Sequence, residues 1–131
     1  MGVPAAKMGD TVTGVDIHII MIPSPGGPVP TPLPHPYNGK ITGACSTNVL
    51  IGGQPAAVVG STSTNAPPHI PQGGPFQMPP TNSGTVSGPG SLTVLINNKP
   101  AAKAGDQVMT CNDPSPAPTS AIVAVGTVLV A

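Results

Sequence analysis

The chain has 131 residues, including 17 Gly and 20 Pro, with four basic and four acidic side chains and no net charge. This balance gives no electrostatic footprint for nucleic acid or an anionic membrane, and two aromatics, Tyr37 and Phe76, make no stacking platform for bases or sugars. So much Gly and Pro usually signals disorder, but hydrophobic residues make up 38% and cluster in short β-branched runs, which argues for a folded module.

In chain order, the first feature is the heptapeptide Pro4-Ala5-Ala6-Lys7-Met8-Gly9-Asp10. No cleavable signal precedes it, so the chain is expected to be made in the cytoplasm and to leave, if it leaves, by a route needing no such signal. Val15 to Ile22 is an apolar β-branched run and predicts a strand. Pro23 to Pro36 predicts a long stiff loop that contains His35. Cys45 stands just before the next run and reads as a core thiol; in a reducing compartment a Cys45–Cys111 disulfide is not expected.

Asn48 to Ile51 predicts a strand, Gly52-Gly53 a tight turn, and Pro55 to Ser61 is the second heptapeptide. Pro67 to Pro80 predicts another loop, holding His69. Leu92 to Ile96, then Asn97-Asn98, then Pro100 to Asp106 repeat the same grammar at an offset of 45 residues. Cys111 follows, then the proline-rich stretch Pro114 to Pro118 and the apolar run Ile122 to Val130.

Three copies of one heptapeptide mean one supersecondary unit built three times. Thr127 to Val130 resembles the first strand of the unit but no Pro-Ala-Ala follows it, while Pro4 opens a Pro-Ala-Ala with no strand before it. Joining the two ends completes a third unit, so the termini are expected to pair. Proline and glycine leave no window for a three-turn amphipathic helix. The expectation is one all-β domain over 1–131, built of short hairpins, with units at 4–10, 55–61 and 100–106 and three-fold pseudosymmetry.

His18 lies eight residues after Asp10, and His69 eight residues after Ser61; Cys111 falls in the exit loop of the third unit, and His35 adds a fourth donor. Three imidazoles and one thiolate make a complete tetrahedral zinc set. The alternative is scattered surface histidines, since none forms a local pair. Asp10, Ser61 and Asp106 close their heptapeptides and read as turn caps rather than general bases. Lys7 and Lys103 read as edge-strand lysines or partner contacts. Spacing gives Asp16 and Asp113 no role. No phosphate loop, nucleophile elbow or Glu is present. Two other functions remain open: a zinc-dependent hydrolase with water as fourth ligand, and a metal-free β-rich adhesion or assembly module.

Repeated Pro-Ala-Ala-x with Gly-Asp or Gly-Ser at the exit, strand–turn units and dispersed His and Cys resembles the PAAR-repeat proteins, which tip the spikes of contractile injection systems such as type VI secretion and phage-tail-like particles. The family has Arg as fourth residue, where this chain has Lys7, Val58 and Lys103. The resemblance implies a cone with one structural zinc near its apex, held here by His18, His35, His69 and Cys111. It implies a partner, a trimeric VgrG-like spike with a β-helical tip, taking one copy per trimer. Val49, Leu50, Ile51, Val94, Leu95, Ile96, Val128, Leu129 and Val130 would form the base that meets it. It further implies no catalysis, carriage of effectors, membrane contact only in transit, and delivery outside the cell or into a target.

Overall fold

The computed structural model describes residues 2–131. Twelve strands form: β1 Val3–Pro4, β2 Thr11–Ile22, β3 Val29–Gly43, β4 Leu50–Ile51, β5 Gln54–Pro55, β6 Thr62–Asn65, β7 Ser83–Gly88, β8 Leu95–Ile96, β9 Lys99–Pro100, β10 Gln107–Thr110, β11 Ala117–Val123 and β12 Leu129–Val130. No helix forms among the described residues. The fold is all-β.

Two tiers result. The first holds three two-stranded hairpins: β4-β5, β8-β9 and β1-β12. The third hairpin joins the two ends of the chain, with Val3 opposite Val130 and Pro4 opposite Leu129. The turns of the other two are chemically forced: Gly52, Gly53, Asn97 and Asn98 all have φ between 53° and 84°, the left-handed conformation that a tight hairpin demands of both central residues.

The second tier was not foreseen. Three longer hairpins, β2-β3, β6-β7 and β10-β11, close into a six-stranded antiparallel barrel in the order β10-β11-β2-β3-β6-β7. Closure removes the open edges that each hairpin would present alone.

The heptapeptides join the tiers. The Ala6 amide donates to the Ala102 carbonyl, Ala102 to Ala57, and Ala57 to Ala6, each bond 2.9–3.0 Å long. This closed ring marks the pseudo-three-fold axis. Alanine is required because three side chains meet there with no exposed surface. Each heptapeptide then turns through Gly9, Gly60 or Gly105, whose φ values are 94°, 102° and 89°. The turn is capped within itself: Asp10 Oδ2 accepts from the Lys7 amide, Ser61 Oγ from Val58, and Asp106 Oδ2 from Lys103, all at 2.9 Å. The two lysines are not free edge cations, because Lys7 Nζ and Lys103 Nζ pair with Asp10 and Asp106 at 2.9 and 2.8 Å.

The barrel interior is thin and aliphatic. Val12, Ile41, Val86, Val108 and Ile122 fill it with Ala6, Ala57 and Ala102, and one aromatic, Tyr37, enters it. Cys45 packs on the outside of this cluster as a free thiol, and Cys111 is also free.

Three expectations about strands need correction. Pro23 to Pro36 is not one loop, since β3 starts at Val29 and includes four of its prolines. These prolines alternate: Pro30, Pro32, Pro34 and Pro36 stand opposite Met21, Ile19, Ile17 and Val15 of β2. The amides of Ile17, Ile19 and Met21 bond away from β3, to Asn112, Asp113 and Pro75, so the opposing prolines occupy non-hydrogen-bonded pairs and give up no ladder bond. Likewise β11 begins at Ala117, inside the predicted loop Pro114 to Pro118. The run Ile122 to Val130 is broken between Val123 and Leu129, so that its two halves serve different tiers.

The barrel narrows away from the short hairpins. β11 leaves β2 at Gly14 and β6 leaves β3 at Gly39, while β2 and β3 continue together to Ile22 and Val29. Past this level only one hairpin projects, flanked by the segments 66–82 and 111–116.

Candidate metal centre

The narrowing barrel has too little room for an apolar core, and polar side chains take over its axis. Strand alternation places them. On β2 the inward series is Val12, Asp16, His18 and Ile20; on β3 it is His35, Tyr37, Gly39 and Ile41, all buried. Asp16 stands directly opposite His35 across the ladder. His69 enters from the segment after β6, and Cys111 directly after β10.

Four of these side chains converge. Asp16, His18, His69 and Cys111 are all buried, and one ligand atom from each lies within 4.8 Å of the others. His18 Nε2 is 3.8 Å from Cys111 Sγ, His69 Nε2 is 3.1 Å from Asp16 Oδ2, and Cys111 Sγ is 3.5 Å from the same oxygen.

The three predicted histidines also pack on one another. The His35 ring centroid lies 5.3 Å from that of His18 and 5.7 Å from that of His69, and Phe76 covers His18 and His35. His35 is not one of the four converging groups. Its Nδ1 contacts the Leu33 carbonyl at 2.9 Å, and its buried Nε2 has no partner. A backbone carbonyl on one ring nitrogen fixes the other as the lone-pair donor, the usual outer support of a metal-bound imidazole. His18 is turned alike: its Nδ1 faces Asp113 Oδ2 at 3.4 Å, and its Nε2 faces the Cys111 thiol. The unpartnered Nε2 of buried His35, with His18 Nε2 and His69 Nε2 beside a thiol and a carboxylate, fits a soft or borderline divalent cation.

Burial sets the protonation of the metal-free groups. It lowers the His18 pKa, with Asp113 opposing, and so favours the neutral imidazole that a metal requires. It pushes the Cys111 thiol up to about 11, reinforced by the Asp16 charge. A bound cation reverses this second effect, because a coordinated thiol is deprotonated outright.

Asp16 and Asp113 carry functions that spacing did not reveal. Asp113 Oδ2 accepts from the Ile19 amide at 3.0 Å, and Asn112 Oδ1 accepts from the Ile17 amide at 2.7 Å, which ties the Cys111 segment to the free edge of β2. Asp16-x-His18 on one strand was a usable signal, since residues two apart share a face.

At the other end, the nine predicted partner residues divide by position. Leu50, Leu95 and Leu129 are 61%, 63% and 57% exposed, at the same place in the three hairpins. Val128 is exposed as well, and Val49, Val94 and Ile51 are half-buried. Ile96 and Val130 are buried, and Ile96 packs with Ala56, Val58 and Ala101.

Comparison with protein-family models matches residues 76–131 to the family described as PAAR motif. This segment includes the third heptapeptide, β7 to β12 and Cys111. No curated protein matches the chain.

Proposed function

We propose that this chain, which carries a PAAR motif over residues 76–131, caps the trimeric spike of a contractile injection machine and forms its point. The motif relates the chain to the spike tips of such machines. The finer reading, a cap seated one per trimer and free to carry effectors, rests chiefly on one observation: Leu50, Leu95 and Leu129 present the same apolar group at the same place in three hairpins, around an axis set by the Ala6–Ala102–Ala57 ring. A three-fold partner can meet all three at once. Simultaneous engagement multiplies weak contacts without requiring any one of them to be strong.

The other end suits a mechanical role. The chain has no Asp, Glu, Lys or Arg between Lys40 and Lys99, nor between Asp16 and Lys40, and Asp16 is fully buried, so the surfaces of the projecting hairpin and the 66–82 segment carry no formal charge to desolvate on entering an envelope. An ion held by His18, His35, His69 and Cys111, zinc by its donor chemistry, would cross-link β2, β3 and the two flanking segments where apolar packing is thinnest. Such a centre is structural. A four-donor protein set leaves no position for a reacting water, and the chain contains no Glu to act as base.

The test is co-purification with candidate trimeric spike proteins, with metal content read on the same sample. One tip per three spike chains is expected, with one metal per tip. Failure to associate under conditions where the spike is trimeric would refute the reading.

A further inference from the structure

We infer that Asp16 is itself a ligand of the bound cation, a fifth donor beside the three histidines and Cys111 that supplies through Oδ2 the second negative charge of the centre; this rests on the metal-centre reading above.

The first ground is geometry. Asp16 Oδ2 faces His69 Nε2 at 3.1 Å and Cys111 Sγ at 3.5 Å, so it already lies among the donors. Its other oxygen is engaged elsewhere: Thr110 Oγ1 and Thr119 Oγ1 both donate to Oδ1, the latter at 2.8 Å. Two hydroxyls from β10 and β11 thus fix the carboxylate plane and leave Oδ2 turned to the centre. This is the outer support that a ligating carboxylate receives in metal sites.

The second ground is charge. Asp16 is 0% exposed, and an ionised carboxylate so placed needs a counter-charge. His69 stands 3.1 Å away but, as a metal ligand, is neutral, and no lysine provides the charge. Lys7 and Lys103 are held by Asp10 and Asp106, and Lys40 and Lys99 are exposed. A divalent cation bound by neutral imidazoles and the Cys111 thiolate alone would leave a net positive charge in the same dry interior. Adding the Asp16 carboxylate brings the centre to zero. Each charge removes the burial penalty of the other.

The test needs no assumption about activity. The chain has four aspartates and no glutamate, so its carboxylate infrared region is simple. Zinc loading of the full chain should shift one antisymmetric carboxylate stretch. The shift should persist in Asp113→Asn and vanish in Asp16→Asn. In parallel, Co(II) bound to Asp16→Asn should show altered ligand-field bands and about tenfold or more weaker affinity. If Asp16→Asn does not fold, the wild-type and Asp113→Asn spectra decide alone. Stoichiometric zinc with no carboxylate shift overturns the role of Asp16 and leaves the metal centre standing. No stoichiometric zinc at all overturns both.

Discussion

The Tyr37 hydroxyl and Ser63 Oγ lie 2.7 Å apart inside the barrel, and Ser63 holds the position that Val12 and Val108 hold in the other two units. The pseudosymmetry is broken here for a reason: the one aromatic in the barrel brings a hydroxyl that needs a partner. Replacing Ser63 by Val would restore the repeat and strand the phenol. Ser63→Val is expected to cost about 1–3 kcal/mol in denaturant unfolding. Tyr37→Phe added to it should recover part of that loss, because removing both polar partners is nearly neutral. Additive losses would show that the hydroxyl pair does not set the choice of serine.

Tyr37 also reports on alkaline stability. Burial pushes its phenol up to about 12, against about 10 in an unfolded chain. The folded state therefore holds this proton more tightly. Its contribution is fully present below about pH 10 and is lost as pH rises towards about 12. The chain has one Tyr and no Trp, so absorbance near the tyrosinate band follows this group alone. A midpoint near that of free tyrosine in the folded protein would contradict its burial.

Metal removal should loosen the narrow end. At ligand concentrations a hundredfold above Kd a bound ion adds about 2.7 kcal/mol, which for a chain of this size is roughly 10 °C in Tm. Chelation of the purified protein should lower Tm by at least this much, and zinc should restore it. His18→Ala, His69→Ala and Cys111→Ala should each remove most of the metal-dependent gain. A Tm indifferent to chelator and to these changes would exclude a structural centre.

The base can be tested apart from the centre. Leu50→Asp, Leu95→Asp and Leu129→Asp place charge at exposed sites and should leave Tm within about 1 kcal/mol of stability. Each should weaken spike association by about tenfold or more, as loss of a central apolar contact does. Ile70→Asp, equally exposed but in the 66–82 segment, should leave association unchanged. Equal effects from all four would place the docking surface elsewhere.

Close packing behind Tyr37 gives a last prediction. A Cβ on Gly39 would lie 2.5 Å from the Thr64 carbonyl oxygen and 2.8 Å from Tyr37 Cε1. Gly39→Ala should destabilise the barrel by about 1–3 kcal/mol through overpacking. Gly26→Ala, whose Cβ would meet nothing, should be close to silent.

What the sequence disclosed follows a physical division. Repeated local chemistry was legible: the Asn97-Asn98 turn and the three capped heptapeptides follow from short-range rules, and the pairing of the two ends from the one unit that the repeat left incomplete. The shared spacing of His18 and His69 after their heptapeptides pointed the same way, whereas Cys111, five residues after Asp106, was placed only by its exit loop. The barrel was not legible, since closure depends on pairings such as Gln107 with Gly88 and Thr11 with Val123, between segments that mark no partner locally. Proline density hid β3, although its period of two from Pro30 to Pro36 is the spacing an edge strand allows. Asp16 escaped notice because its partners, Thr110 and Thr119, come from the far end of the chain.

The alternation of Pro30, Pro32, Pro34 and Pro36 has a consequence for how the chain meets its own copies. Along the outer margin of the projecting hairpin these positions offer carbonyls but no amide hydrogens, so a neighbouring molecule finds nothing there to zip onto. The hairpin can therefore stand clear of the barrel without inviting a second copy to add a strand along this flank.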